Sequence, residues 1–251
     1  MQIAEGTHDE RKLDSKATHI IIGKVKSIRS FWDSDGSLIY SSIDIEVESY
    51  LKGESQGNEI FVKCPGGVIG NLGFLTSAAP QFRESERVKV FLKLEATGEF
   101  TIVCGRQGKN SLSGNLQAAS SGYSYSGLHW DSTSLPVIYY INQAVSDSFK
   151  AAVQQSFQTW EDDLYSYMDY TYAGTTTLTG SHYDYYNVVS WEYIDGPGGL
   201  LAQCGYWFYP DTSHIVEFDI VFDTSETWSS SGEPGKFDIQ NVGTHEAGHT
   251  L

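Results

Sequence analysis

Five residues near the end of this 251-residue sequence carry a chemical pattern, His245-Glu246-Ala247-Gly248-His249. Residues four apart on an α-helix stand one turn apart on one face, so both imidazoles can reach a single zinc ion. Glu246 lies beside them and can take the proton of a water whose pKa the metal has lowered. A Lewis acid, an activated water and a base are the parts that hydrolysis of a peptide carbonyl requires. The plain alternative is a helix with two solvent-facing histidines and a glutamate. Competing chemistries lack their signatures. There is no Gly-x-Ser-x-Gly elbow and no Walker loop, and Gly70-Asn71-Leu72-Gly73 leads into no helical pattern that could cradle phosphate.

The elements that must position this pattern are legible in outline. Asp238–Leu251 reads as a helix, with Asp238 able to cap its first free N–H groups. Apolar positions Val145, Phe149, Val153, Phe157, Trp160 and Leu164 recur at helical spacing, which predicts a helix of about five turns over 146–167, capped by Ser146 or Asp147. Strands are expected at 136–141, 186–192, 204–209 and 215–222. A strand, a long helix, several strands and a helix make an α+β or α/β domain. The first half differs. His19–Arg29 is β-branched and apolar, Asp35-Gly36 is a turn pair, and Ile43, Ile45 and Val47 alternate with Asp44, Glu46 and Glu48. With further strands at 59–63, 87–94 and 99–103, it reads as a small β-barrel or sandwich, OB-like, and no residues in it have a catalytic spacing.

Charge marks the boundary between the halves. The chain carries 16 basic and 32 acidic residues, but 111–251 holds only Lys150 and Lys236 among the basic ones. The net charge is −1 over residues 1–110 and −15 over 111–251. The change coincides with a stretch rich in Ser, Gly and Asn. The expected organisation is a small β module at 1–110, a linker at 111–127 and a catalytic domain at 128–251. A pI near 4.7 excludes a phosphate-backbone partner such as nucleic acid. No run of apolar residues is long enough to span a bilayer, and Met1–Gly6 has neither the charged nor the apolar region of a signal peptide. Three cysteines do not make a disulfide scaffold.

Three motifs in order resemble a known family. Thr244–Leu251 resembles the zinc helix of the metzincin metallopeptidases, the matrixins in particular. Asp195-Gly196-Pro197-Gly198-Gly199 is similar to the matrixin calcium loop, and Phe222-Asp223-Thr224-Ser225-Glu226-Thr227-Trp228 to the family's Phe-Asp-x-x-Glu-x-Trp segment. The resemblance, over about 128–251, implies a twisted mixed sheet with two long helices and a zinc-dependent endopeptidase acting on polypeptide substrates. It implies zinc on His245 and His249 with Glu246 as general base. It also implies a structural calcium ion on Asp195, Asp223, Glu226 and carbonyls near Gly196 and Gly198, and a second calcium ligand at Asp219. Oxygen donors of this kind suit calcium. Asp219 reads equally as a solvated acidic residue on an alternating strand. The resemblance implies an extracellular or cell-surface location. The first 110 residues resemble a small β module fused to bacterial and archaeal matrixin-like proteins.

Departures from the family pattern also carry expectations. Val188, Ser190, Gln203 and Val221 stand where animal matrixins place ligands of a second, structural zinc, so none is expected. The family pattern continues with a glycine, a third histidine and a methionine turn, whereas these residues stop at Leu251, so the chain reads either as a fragment ending within the motif, the favoured reading, or as a degenerate member. His182 and His214 are candidates for the missing ligand, each with the plainer reading of a surface histidine. Cys64 and Cys104 lie outside the family's latency sequence and read as buried, inert thiols. Two other functions remain open from the sequence: a non-catalytic binding module that keeps the fold and calcium loops, or a chain whose N-terminal module contacts a cell-surface partner or inhibits the protease.

Overall fold

The computed structural model describes residues 10–112 and 126–251. Met1–Gly6 and all but the ends of the expected linker lie outside the described residues. In chain order the elements are α1 (Glu10–Lys16), β1 (His19–Trp32), β2 (Ile39–Lys52), β3 (Glu59–Pro65), β4 (Gly67–Ile69), β5 (Leu72–Thr76), β6 (Arg87–Leu94), β7 (Phe100–Ile102) and β8 (Lys109–Ser111). They continue as β9 (His129–Trp130), β10 (Val137–Asn142), α2 (Asp147–Glu161), β11 (Tyr170–Thr176), β12 (Asn187–Glu192), β13 (Ala202–Tyr209), β14 (His214–Asp223), β15 (Trp228–Ser229), β16 (Phe237–Asp238) and α3 (Ile239–Ala247). The class is mixed α+β.

The chain divides into two compact units, and the division does not follow the charge boundary. The first holds the described residues of 10–31, 40–67 and 78–112; the second holds 32–39, 68–77 and 126–251. Charge composition reports the local surface, whereas strand pairing joins residues far apart in sequence. That is how 32–39 and 68–77, within the expected 1–110 module, come to count with the second unit.

The first unit is a small barrel. Strands run in the order β1-β2-β3-β7-β6, and β6 pairs back onto β1, so the five close on themselves while β8 extends from β6. Alternation fills it. Ile43 and Ile45 point into a core with Ile21, Val25, Val62, Val88, Val90 and Leu92, while the acidic residues between them stay outside it.

The second unit is a sheet in the order β11-β10-β12-β14-β13-β5-β4. β11, β10, β12 and β14 are parallel, β13 reverses against β14, and β5 runs antiparallel to β13. β13 shows how both faces are covered. Cys204, Tyr206 and Phe208 join the core that holds Val153 and Phe157 of α2 and Ile239 of α3. Trp207 turns to the other face, against Ile39, Leu72 and Phe74. Burial on both faces explains its nearly unbroken apolar sequence.

Among the strands that escaped the sequence reading, β11 and β5 matter most to this sheet. β11 is Thr- and Tyr-rich and follows directly on the expected helix. β5 is a five-residue run interrupted by Gly73, and it looks like a loop until its partner is known. A Cβ on Gly73 would stand 2.3 Å from the Phe208 ring, so the glycine is what lets the strands approach. α2 begins as expected, with the Ser146 hydroxyl accepting from the Phe149 N–H at 3.4 Å, but it ends at Glu161 instead of 167. The acidic run Glu161-Asp162-Asp163 sits at the negative end of the helix dipole, and Asp163 Oδ1 takes the Tyr165 N–H at 2.8 Å in a local turn. Leu164, expected on the apolar stripe, is therefore 94% exposed.

Candidate active site

Helix α3 is fixed at both ends and along one side. Asp238 Oδ1 accepts the Asn241 N–H at 2.9 Å, the expected N-cap. Along the side, α3 lies close against α2. A Cβ on Gly243 would come within 2.5 Å of Ser156 Oγ, and that hydroxyl donates to the carbonyls of Ala152 at 3.0 Å and Gln240 at 3.1 Å. Trp160 Nε1 donates to the Thr244 carbonyl at 2.7 Å. The sequence predicts a helix through Leu251, but the α-helix ends at Ala247 and Gly248–Thr250 form a 3-10 turn. Tight 3-10 turns commonly finish helices, and here the turn is anchored. Thr250 Oγ1 meets Tyr170 Oη at 2.7 Å and donates to the Ala247 carbonyl at 2.8 Å, and Trp130 Nε1 donates to the Thr250 carbonyl at 2.8 Å.

These anchors set the three motif side chains. The His245 and His249 rings stand 5.1 Å apart, centroid to centroid, with planes 88° to each other. His245 is exposed, His249 partly so, and Glu246 only 5% exposed. Ser77 Oγ donates to Glu246 Oε2 at 2.9 Å and accepts the Cys204 N–H at 2.9 Å. The Cys204 thiol is buried, and burial, reinforced by the charges of Glu246 and Asp219, pushes its pKa well up. It is a neutral neighbour, not a thiolate. Ser77 had no signal in the sequence: it lies 169 residues from Glu246 and ends an apolar run with no motif.

An exposed and a half-buried imidazole beside a nearly dry carboxylate suit a cation that takes nitrogen ligands and a proton acceptor. As donors the imidazole pair fits zinc, but it is a pair. Among the described residues no group of three or more His, Cys, Asp or Glu gathers as a metal site. Both candidate third ligands are engaged elsewhere. His182 Nδ1 shares a hydrogen bond with Ser37 Oγ at 3.1 Å. His214 lies edge-on to His129 with its Nδ1 3.7 Å from Asp131.

The segments expected to bind calcium come together through backbone donors. Asp195 Oδ1 accepts the Leu200 N–H at 2.9 Å, Asp223 Oδ2 accepts the Asp195 N–H at 3.2 Å, and Glu226 accepts the Gly198 N–H. The Gly196 carbonyl accepts the Gly199 N–H at 3.1 Å. The Asp195 carboxylate folds so close that a Cβ at Gly199 would meet its oxygen at 2.0 Å. Burial pushes the Asp223 pKa up, but hydrogen bonds from Ser225, Asp195 and Ile194 outweigh it and hold the carboxyl below its ordinary value. The alternation argument for a solvated Asp219 fails. It is 2% exposed, with Oδ1 on the Val188 N–H at 2.9 Å and Oδ2 on the His182 N–H at 3.0 Å. Burial raises its pKa, as it raises that of Glu217 to about 8, and Glu217 accepts the N–H groups of Asp184 and Tyr185. Cys64 and Cys104 are buried, and burial pushes the Cys64 thiol up to about 12.

Residues 129–251 match the family model of the matrixins. Metalloendoproteinase 1 of Glycine max is 29% identical to the chain over 119 residues, which is 43% of this chain and 34% of that protein. The chain thus spans about a third of the length of the relative it matches. No described helix is long and apolar enough to cross a membrane.

Proposed function

We propose, from the matrixin-like metallopeptidase segment at residues 129–251, that the chain serves zinc-dependent hydrolysis of peptide bonds in polypeptide substrates. His245 and His249 hold the ion, together with a donor from outside this pair. When bound, zinc supplies a Lewis acid that acidifies water and polarises a carbonyl. Glu246 does the proton work, taking a proton from the attacking water and delivering it to the leaving amine nitrogen. The observation that carries this reading is the nearly dry Glu246 carboxylate beside two imidazoles on successive turns, whose rings lie 5.1 Å apart. A buried carboxylate is stabilised by hydrogen bonds and by nearby positive charge, and a cation on the two imidazoles would add the second to the Ser77 bond.

Calcium on Asp195, Gly196, Gly198, Asp223 and Glu226, with Asp219 as a second ligand, belongs to the same proposal, as does an extracellular location. Its support is that the 195–200 loop folds onto Asp223 and Glu226, whose carboxylates accept the N–H groups of Asp195 and Gly198, although among the described residues these carboxylates do not gather as a group of three. Calcium bound to the folded state alone raises the melting temperature by mass action. Titrating calcium into the chelated protein is expected to raise it by a few degrees, and a flat curve removes the site.

The test of the catalytic reading is Glu246→Gln. Peptide cleavage is expected to fall by about 10²–10⁴-fold while zinc content, by elemental analysis, stays at that of the parent. Cleavage that survives the change removes Glu246 from the mechanism. A second reading, a binding module with this fold but no hydrolysis, is favoured by the gathering of two imidazoles and no third donor among the described residues. A zinc-loaded parent protein that binds peptides without cleaving them establishes it.

A further inference from the structure

The strand at the far side of the sheet comes from the first hundred residues, yet it ends on the carboxylate of the proposed site. β14 pairs with one edge of β13, and β5 fills the other from Gly205 to Phe208. Ser77 extends that ladder by one residue: its N–H donates to the Cys204 carbonyl at 2.8 Å and its Oγ accepts the Cys204 N–H at 2.9 Å. The same hydroxyl reaches Glu246. An extended polypeptide can join a sheet only along an edge whose N–H and C=O groups are unpaired. Beside Glu246 that edge belongs to β13, and from Cys204 to Phe208 it is already taken.

We infer that residues 72–77 are an internal occupant of the edge along which an extended peptide passes Glu246, with Ser77 as the catch that must leave the carboxylate first. The identity of the displaced ligand rests on the peptidase reading; the occupancy does not. The two ends of the strap differ physically. Its start is anchored, with Leu72 and Phe74 buried and Phe74 against Trp207 at a ring distance of 4.6 Å. Its end is small and polar, and holds the site through the Ser77 hydroxyl and the backbone bonds of Ser77, beside the buried Thr76. For a peptide to take the edge beside the carboxylate, Ser77 must release both Glu246 and the Cys204 backbone, while the Phe74 anchor against Trp207 keeps the strap attached.

Hydrogen exchange on the full chain tests this without any need for catalysis. In the parent protein the amides of residues 75–77 are expected to exchange about tenfold or more faster than those of the central strand β14, because they open locally and not with the whole unit. Ser77→Ala removes the catch and is expected to speed exchange at 75–77 by a further tenfold or so, leaving β12 and β14 unchanged. A labelled synthetic peptide of the sequence Leu-Gly-Phe-Leu-Thr-Ser, used as a probe of the freed edge, is expected to bind Ser77→Ala about tenfold tighter than the parent. If residues 75–77 exchange in the parent only at the rate of β14, the segment is a permanent sheet strand and the inference fails. That comparison stands even if the variant does not fold. A strap that opens in a protein with no peptide cleavage sinks the peptidase reading and leaves the strap intact.

Discussion

The proton transfer proposed for Glu246 requires a carboxylate that is partly dry and fixed in direction, and neither condition can be written in a five-residue motif. At Glu246 the first comes from burial and the second from Ser77. The imidazoles differ from it in needing exposure, and His245 has it. The same rule, that burial is tolerated when donors compensate, operates at Glu86 in the barrel. Its carboxylate meets Lys109 Nζ at 2.8 Å and also bonds Ser111, with side chains only 12% and 9% exposed for the ion pair. Burial alone would raise the Glu86 pKa, but Lys109 and Ser111 hold it below its ordinary 4.5. A lowered carboxylate stabilises the fold above the unfolded value, and the contribution is lost as pH falls below 4.5 through the folded value. Glu86→Gln is therefore expected to cost about 1 kcal/mol at pH 7, after allowance for solvent screening, and progressively less at lower pH. Urea melts at pH 7 and pH 3 check it; an equal cost at both removes the charge from the explanation.

At the scale of elements, the motif helix α3 is placed mainly by its contact with α2. Gly243 faces Ser156, and a methyl there would meet both Oγ at 2.5 Å and Cβ at 3.1 Å of a residue that is fully buried. Overpacking of this kind costs about 1–3 kcal/mol, while alanine in a helix interior returns about 1 kcal/mol relative to glycine. Gly243→Ala is expected to lower the melting temperature by a few degrees, since the clash outweighs the propensity. An unchanged or raised melting temperature shows that α2 and α3 separate freely. Helix ends were the least legible elements. Both α2 and α3 stop short of their apolar periodicity, the first at an acidic run and the second at a 3-10 turn fixed by Thr250, Tyr170 and Trp130. Those partners come from distant segments, so no local pattern announces them.

At the scale of the whole molecule, the unit that carries the motif is not continuous in sequence, because it takes in 32–39 and 68–77. Without Leu72 and Phe74, the fully buried Trp207 loses its cover on one face of β13. The isolated segment 126–251 is expected to bind a hydrophobic dye and to melt below the full chain, and adding back residues 68–77 as a peptide to recover part of the difference. A segment that melts with the full chain and binds no dye refutes that dependence. The sequence alone determined the local features of this protein. Side-chain type and spacing set the His-Glu-His pattern, the Asp238 and Ser146 caps, the alternation at Ile43 and Ile45 and the two-part charge distribution, all of which depend on neighbours a few residues away. Only the tertiary structure decided which strand lies along β13, which hydroxyl meets Glu246 and where Asp219 is buried. Those depend on pairing between residues far apart in the chain, and a short run such as Leu72–Thr76 becomes a strand only when a partner strand completes its hydrogen bonds.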